Sequence, residues 1–172
     1  MRKRRSVAHL ALAPDAEAPA GPTDLTLDDY LPFRLSVASN GVSRLIARAY
    51  EDRFGLTIPQ WRLMAVLAEA DLTQQAVVIR TAMDKVTVSR AARELVGRSL
   101  LTRETNAGDG RSHLLRLTSM GRSLYSEIAP LAKAYEAALL TGLAPNEVAL
   151  LKRLLTRLEA AAARLSGQSP NG

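Results

Sequence analysis

Apolar residues recur along most of this chain at the three- and four-residue spacing of amphipathic helices. From Asp28 to about Phe54, Leu31, Leu35, Ala38, Val42, Leu45, Ile46 and Ala49 keep that spacing, which predicts one long helix loosened midway by Asn40-Gly41. Gly55 matches a C-terminal stop, and Pro59 opens the next helix, Pro59 to Ala70, short and buried through Trp61, Met64, Ala65 and Leu67. Thr73 is a fitting N-cap for a third helix ending near Thr81, although the β-branched run Val77-Val78-Ile79 replaces better helix formers. Asp84 caps a fourth, in which Val88, Ala92, Leu95 and Ser99 form the apolar face. Its outer face carries Thr87, Arg90 and Glu94, flanked by Ser89 and Arg93.

Beyond Leu100 the period changes. Leu101 to Thr105 and Ser112 to Thr118 are β-compatible runs separated by Asn-Ala-Gly-Asp-Gly, a dense turn cluster, so a β-hairpin with Arg111 at its tip is expected. Ser119 can then cap a helix carrying Leu124, Ile128, Leu131 and Tyr135 and kinked by Pro130. A final helix follows Pro145, with Val148, Leu151, Leu154, Leu155, Leu158 and Leu165 in a stripe too continuous to leave in water. It needs a partner. The fold class is mainly α, and the small polar stretch from Ser166 to Gly172 reads as a frayed tail.

Composition narrows the class. At 172 residues, 47% hydrophobic and only 4% aromatic, the chain fits one mainly helical soluble domain with extensions. The net charge of +6 is concentrated: Lys85, Arg90, Arg93, Arg98, Arg103, Arg111, Arg116 and Arg122 stand against Glu94, Glu104 and Asp109, which is 8 − 3 = +5 within one stretch. Such a field favours a polyanion, because each phosphate neutralised releases condensed counterions. Double-stranded DNA is the leading partner. A helix with short hydroxyls and guanidinium groups outward suits the major groove, and a cation on a projecting hairpin suits the minor groove.

Other chemistry is thin. With no cysteine and only His9 and His113, neither disulfides nor a metal site is expected. His113 has no acid or base partner in sequence, nothing resembles a nucleophile elbow or a nucleotide-binding glycine loop, and no cofactor or catalytic residue is expected. No apolar run approaches the roughly 18 residues of a membrane span. The start, MRKRRSVAHLALAPDA, has a basic end and a short apolar stretch like an export signal, but His9 interrupts it and Pro14 breaks it; a cytoplasmic protein is expected. Residues 1–24, with Arg2, Lys3, Arg4 and Arg5 ahead of an Ala/Pro-rich run, are either a solvated tail or a basic arm adding phosphate contacts.

Leu72-Thr73-Gln74, then Asp84-Lys85-Val86-Thr87-Val88-Ser89-Arg90, then Asp109-Gly110-Arg111 and Leu117-Thr118-Ser119-Met120-Gly121-Arg122 resemble, in order and spacing, the helix-turn-helix and wing of the MarR family of bacterial transcription regulators. The resemblance covers roughly residues 28–165; Ala82 stands where the family usually has Gly. It implies a winged helix-turn-helix over 59–118 and dimerisation helices over 28–54 and 119–165, within a domain of 25–165 between a flexible arm (1–24) and a flexible tail (166–172). The first and last helices of two subunits would interlock as a homodimer. DNA contacts are then expected from Lys85, Thr87, Ser89, Arg90, Arg93 and Arg111. Asp109 either braces Arg111 by an ion pair or serves as a turn former. The lack of cysteine removes the thiol-based peroxide sensing of some relatives.

MarR-like proteins commonly sense small aromatic or anionic compounds. Tyr30, Phe33, Arg34, Asn40, Ser43, Arg44, Arg48 and Trp61 lie in the segments that would line such a pocket. The segment from Arg34 to Trp61 is similar to regulators of hydroxycinnamate and related aromatic-acid catabolism, which implies an anionic aromatic effector, an aromatic acyl-CoA ahead of the free acid. The alternative is a nucleoid-type or RNA-binding protein that binds through charge alone, indifferent to sequence.

Overall fold

The computed structural model describes residues 25–106 and 109–167, with backbone alone at 106 and 109–111. The basic arm expected over 1–24, the end of the expected tail from 168 and the Arg111 side chain lie outside the described residues. In order, the elements are α1 (Leu31–Ala47), α2 (Glu51–Phe54), α3 (Ile58–Glu69), β1 (Leu72–Thr73), α4 (Gln74–Thr81), α5 (Lys85–Gly97), β2 (Leu101–Asn106), β3 (Asp109–Leu117), α6 (Ser119–Leu139) and α7 (Pro145–Leu165). The chain divides inside α1, at Val37/Ala38, into two compact units. In the first, a turn over Thr26–Tyr30 leads into the helix, and the Arg34 guanidinium donates back to the Asp28 carbonyl at 3.3 Å.

The single helix expected over 28–54 is two. Gly41 stays inside α1, and the break falls at Arg48–Tyr50, where three successive N–H groups bond to carbonyls three residues back. Ala47, Ala49 and Tyr50 are all buried. In a continuous helix, residues 47 and 49 lie about 200° apart and could not both face inward, so the tight turn resolves the conflict. Gly55 then closes α2 at φ 60°, the left-handed conformation expected of it.

The core of the second unit joins Leu63, Met64 and Leu67 of α3, Val77 of α4, Val88, Ala91, Ala92 and Leu95 of α5, Leu115 and Leu117 of β3, and Ile128 of α6. Helix starts are fixed by side chains. Thr73 accepts from the Ala76 N–H at 3.2 Å, as the sequence predicts. The N-cap of α6 is Thr118, one residue before the expected Ser119; its hydroxyl accepts from Gly121 at 3.0 Å and also donates to the Ser99 carbonyl at 2.8 Å, a second bond that Ser119 is not placed to make. Ser99 does not continue the apolar face of α5. It sits just past the helix at φ 57°, with Leu100 N–H on the Leu95 carbonyl and Ser99 N–H on the Val96 carbonyl, the two bonds of a Schellman stop.

The hairpin extends further than expected: β3 begins at Asp109 rather than Ser112. Thr105 pairs with His113 and Asn106 with Asp109, so the register shifts between Thr105 and Asn106, as at a β-bulge. A third strand, β1, was not expected. Leu72 and Thr73 pair antiparallel with Leu115 and Leu114, giving the order β1-β3-β2. Helix α6 runs through Pro130 without interruption. Helix α7 buries none of its residues, and Leu150, Leu151, Leu154, Leu155 and Leu158 are all exposed. No helix among the described residues is long and apolar enough to cross a membrane.

Candidate nucleic-acid interface

Asp84 fixes where α5 begins. Its Oδ1 accepts from the Thr87 N–H at 2.8 Å and its Oδ2 from the Thr87 hydroxyl at 2.6 Å. The Thr87 hydroxyl and then its N–H hold the Asp84 carboxyl below the usual carboxylate range. Thr87, expected at the interface, has therefore committed its hydroxyl proton to the cap and keeps an acceptor lone pair and a methyl. One face of α5 is occupied by Val88, Ala92 and Leu95, all buried, which aims Lys85, Arg90 and Arg93 outward as exposed side chains with Ser89 half-buried beside them.

The cationic stretch is not uniform. Arg98 turns back to donate to the carbonyls of Gly55 (2.9 Å) and Phe54 (2.8 Å), completing the end of α2. Arg116 pairs with Asp71 at 2.8 Å, and Arg122 approaches the other oxygen of the same carboxylate at 3.9 Å. Among the described residues, Lys85, Arg90, Arg93 and Arg103 enter no ion pair. Sequence reasoning counted Arg103 in the charge but did not select it. It lines a groove of about 470 Å³ with Lys85, Ser89 and His113, floored by the start of α4. The signal was the strand alternation, which puts Arg103 and Thr105, the partner of His113, on one face of β2.

Helix α3 is tied to α5 through Gln60, the one buried polar residue among those described. Its Oε1 accepts from the Thr57 N–H at 2.9 Å, closing a capping box, and its Nε2 donates to Glu94 Oε2 at 2.7 Å. Next to it, Trp61 stacks with Tyr50 (ring centroids 5.4 Å apart) and with Tyr125 (5.6 Å). Burial, with Glu51 adding to it, pushes the Tyr50 hydroxyl up to about 12.

The residues expected to meet an effector divide between the two units. Tyr30, Phe33 and Arg34 belong to the first and are exposed. In the second, Asn40, Arg44 and Arg48 are exposed along α1 and its terminal turn, and the Ser43 hydroxyl accepts from the Arg62 guanidinium at 2.8 Å. Trp61 is half-buried and engaged in stacking with both tyrosines.

A short first helix, a second helix with an outward cationic face and an antiparallel hairpin beside it make a winged helix-turn-helix. The family model for the MarR family matches residues 54–112, from the last residue of α2 into the first half of β3. A probable transcriptional regulator from Pseudomonas aeruginosa is 31% identical, with 77% of this chain and 99% of that one covered and a TM-score of 0.66. A MarR/EmrR family regulator from Acinetobacter sp. ADP1 is 26% identical over 81% and 99% of the two chains, at a TM-score of 0.75. BpsR of Bordetella bronchiseptica, whose DNA binding is regulated by 6-hydroxynicotinic acid, is 26% identical over 81% and 98%, at a TM-score of 0.71. No curated protein matches the chain. The chain belongs to the MarR family of transcriptional regulators.

Proposed function

We propose that this regulator is a homodimeric repressor that reads a palindromic operator through Lys85, Thr87, Ser89, Arg90, Arg93 and Arg111. The observation that carries the reading is the outward face of α5, where, among the described residues, Lys85, Arg90 and Arg93 enter no ion pair while neighbouring arginines are tied into the fold. The proposed domain is 25–165, with dimerisation segments 28–54 and 119–165. The exposed leucines of α7 are the apolar surface a second copy would cover. Two recognition helices related by a two-fold axis require half-sites about 10 bp apart. Selecting bound duplexes from a random pool tests this: a palindromic consensus with that spacing supports it, and no enrichment leaves a protein that binds by charge alone.

Within this reading Arg90→Ala relaxes base preference at a cost of about 1 to 3 kcal/mol. Arg111→Ala weakens binding to every duplex and lowers its salt slope. Equal losses on selected and random duplexes for both variants would overturn the division.

The effector we propose is an anionic aromatic compound, an aromatic acyl-CoA ahead of the free acid, that releases the protein from DNA. Arg44 and Arg48 beside Asn40 are exposed cations able to take a carboxylate or phosphate, and 6-hydroxynicotinic acid, which regulates BpsR, is of this chemical kind. A ligand shifts the dimer only by its differential affinity for the two states. A coupling of about 1 to 3 kcal/mol weakens operator affinity about 5- to 150-fold. Titrating an aromatic acyl-CoA and its free acid into the protein–operator complex tests the proposal. Release by neither, with release by a neutral or non-aromatic compound, would show the proposed chemistry to be wrong.

A further inference from the structure

The groove of about 470 Å³ between the start of α4, the start of α5 and the wing strands has an unusual lining. Gln74 comes from α4, Lys85 and Ser89 from α5, Arg103 from β2 and His113 from β3. Among the described residues, no carboxylate lines it. Every polar side chain just named can donate a hydrogen bond, and two carry fixed positive charge. Such a set of donors repels cations, and beside the apolar Val78 it suits a group of acceptor oxygens with negative charge, such as a phosphodiester.

Position adds to the chemistry. The valley lies between the outward face of α5, proposed for the major groove, and the hairpin whose tip is proposed for the adjacent minor groove. The two grooves of a duplex are separated by one sugar–phosphate strand. A helix in one groove and a wing in the next must straddle that strand, and the valley is where it crosses the protein.

We propose that this groove is a backbone clamp in which Arg103, helped by Lys85 and His113, holds the phosphate between the two grooves and so sets the spacing of wing and recognition helix on DNA. The clamp rests on the DNA-binding reading above and adds Arg103, His113 and Gln74 to it. As a phosphate contact it carries register, not base preference.

The test uses the full-length protein and an enriched duplex from the selection, with wild type, Arg103→Gln and Arg103→Lys. Arg103→Gln is expected to lower the slope of log affinity against log salt by about 1 per half-site, while Arg103→Lys keeps it. A set of duplexes in which single phosphates are replaced by neutral methylphosphonates locates the contact. One position at the boundary between the half-site and the flanking minor groove should weaken wild type and no longer affect Arg103→Gln. Circular dichroism of the variants checks that the fold is kept. An unchanged slope together with an unchanged methylphosphonate profile overturns the clamp and leaves the regulator reading standing. Wild-type protein with no affinity for any duplex overturns both.

Discussion

Gln60 and Glu94 join the helix before the reading head to the reading head itself: the Gln60 amide donates to the Glu94 carboxylate at 2.7 Å, while the same side chain's oxygen caps α3. Because Gln60 is buried, removing it leaves the Thr57 N–H and one side of Glu94 without their partner. Gln60→Ala should cost about 2 to 3 kcal/mol in urea unfolding. Gln60→Glu should cost more at neutral pH and recover as the pH falls toward the carboxylate range, since two facing carboxylates cannot both stay charged cheaply. Equal stability of the two variants across pH would rule this pairing out.

Gly121 allows α6 to start against the wing. A Cβ there would run into the carbonyl oxygen of Leu100, with the carbonyl carbon and Leu117 Cδ2 each at 3.1 Å. That same carbonyl accepts from the Thr118 N–H at 3.1 Å, so it cannot retreat without losing the bond. Gly121→Ala should destabilise by about 3 kcal/mol, read as a lowered thermal midpoint. The glycine of the L-T-x-x-G motif is thus explained by a close approach rather than by flexibility.

Ala82 and Ser99 bracket α5 in left-handed conformations, at φ 52° and 57°. A side chain there is strained, and glycine is not, though glycine also loosens the unfolded chain. Ala82→Gly and Ser99→Gly should each stabilise by about 0.5 to 1 kcal/mol. Ser99 bonds Thr118 through its carbonyl, which glycine keeps. Destabilisation by either change would mean that its side chain contributes more than its conformation costs.

Tyr50, whose hydroxyl ionises near 12, gives a pH signature. The folded value lies above the ordinary one of about 10, so the stability it reflects is complete below pH 10 and is lost as pH rises from 10 to 12. Absorbance titration should show one tyrosine ionising late. In Tyr50→Phe that late step should vanish, and the alkaline loss of stability should shrink.

Local signals read well from sequence, and distant ones did not. The caps Thr73 and Asp84, the Gly55 stop and Pro59 in the first turn of α3 act on their own few residues, and each stands where expected. Strand β1 is two residues long and exists only through pairing with β3, some 40 positions on, which no local pattern announces. The break at Arg48–Tyr50 was hidden because Ala49 fits the helical spacing, while the burial of Tyr50 depends on Trp61. The charge count could not separate free cations from tied ones for the same reason. Arg98, Arg116 and Arg122 look like Arg90 and Arg93 in sequence, and only carbonyls or a carboxylate more than 40 residues away distinguish Arg98 and Arg116.

The bare leucines of α7 also govern how the regulator answers to its own abundance. In the proposed dimer, folding and pairing form one equilibrium, so the folded fraction rises with total concentration and the thermal midpoint climbs on tenfold concentration. Operator occupancy then depends on the square of the free chain concentration while the dimer is scarce. A twofold drop in synthesis would cut occupancy up to fourfold. The steepness of the genetic switch would thus be written in a leucine stripe outside the residues proposed to touch DNA.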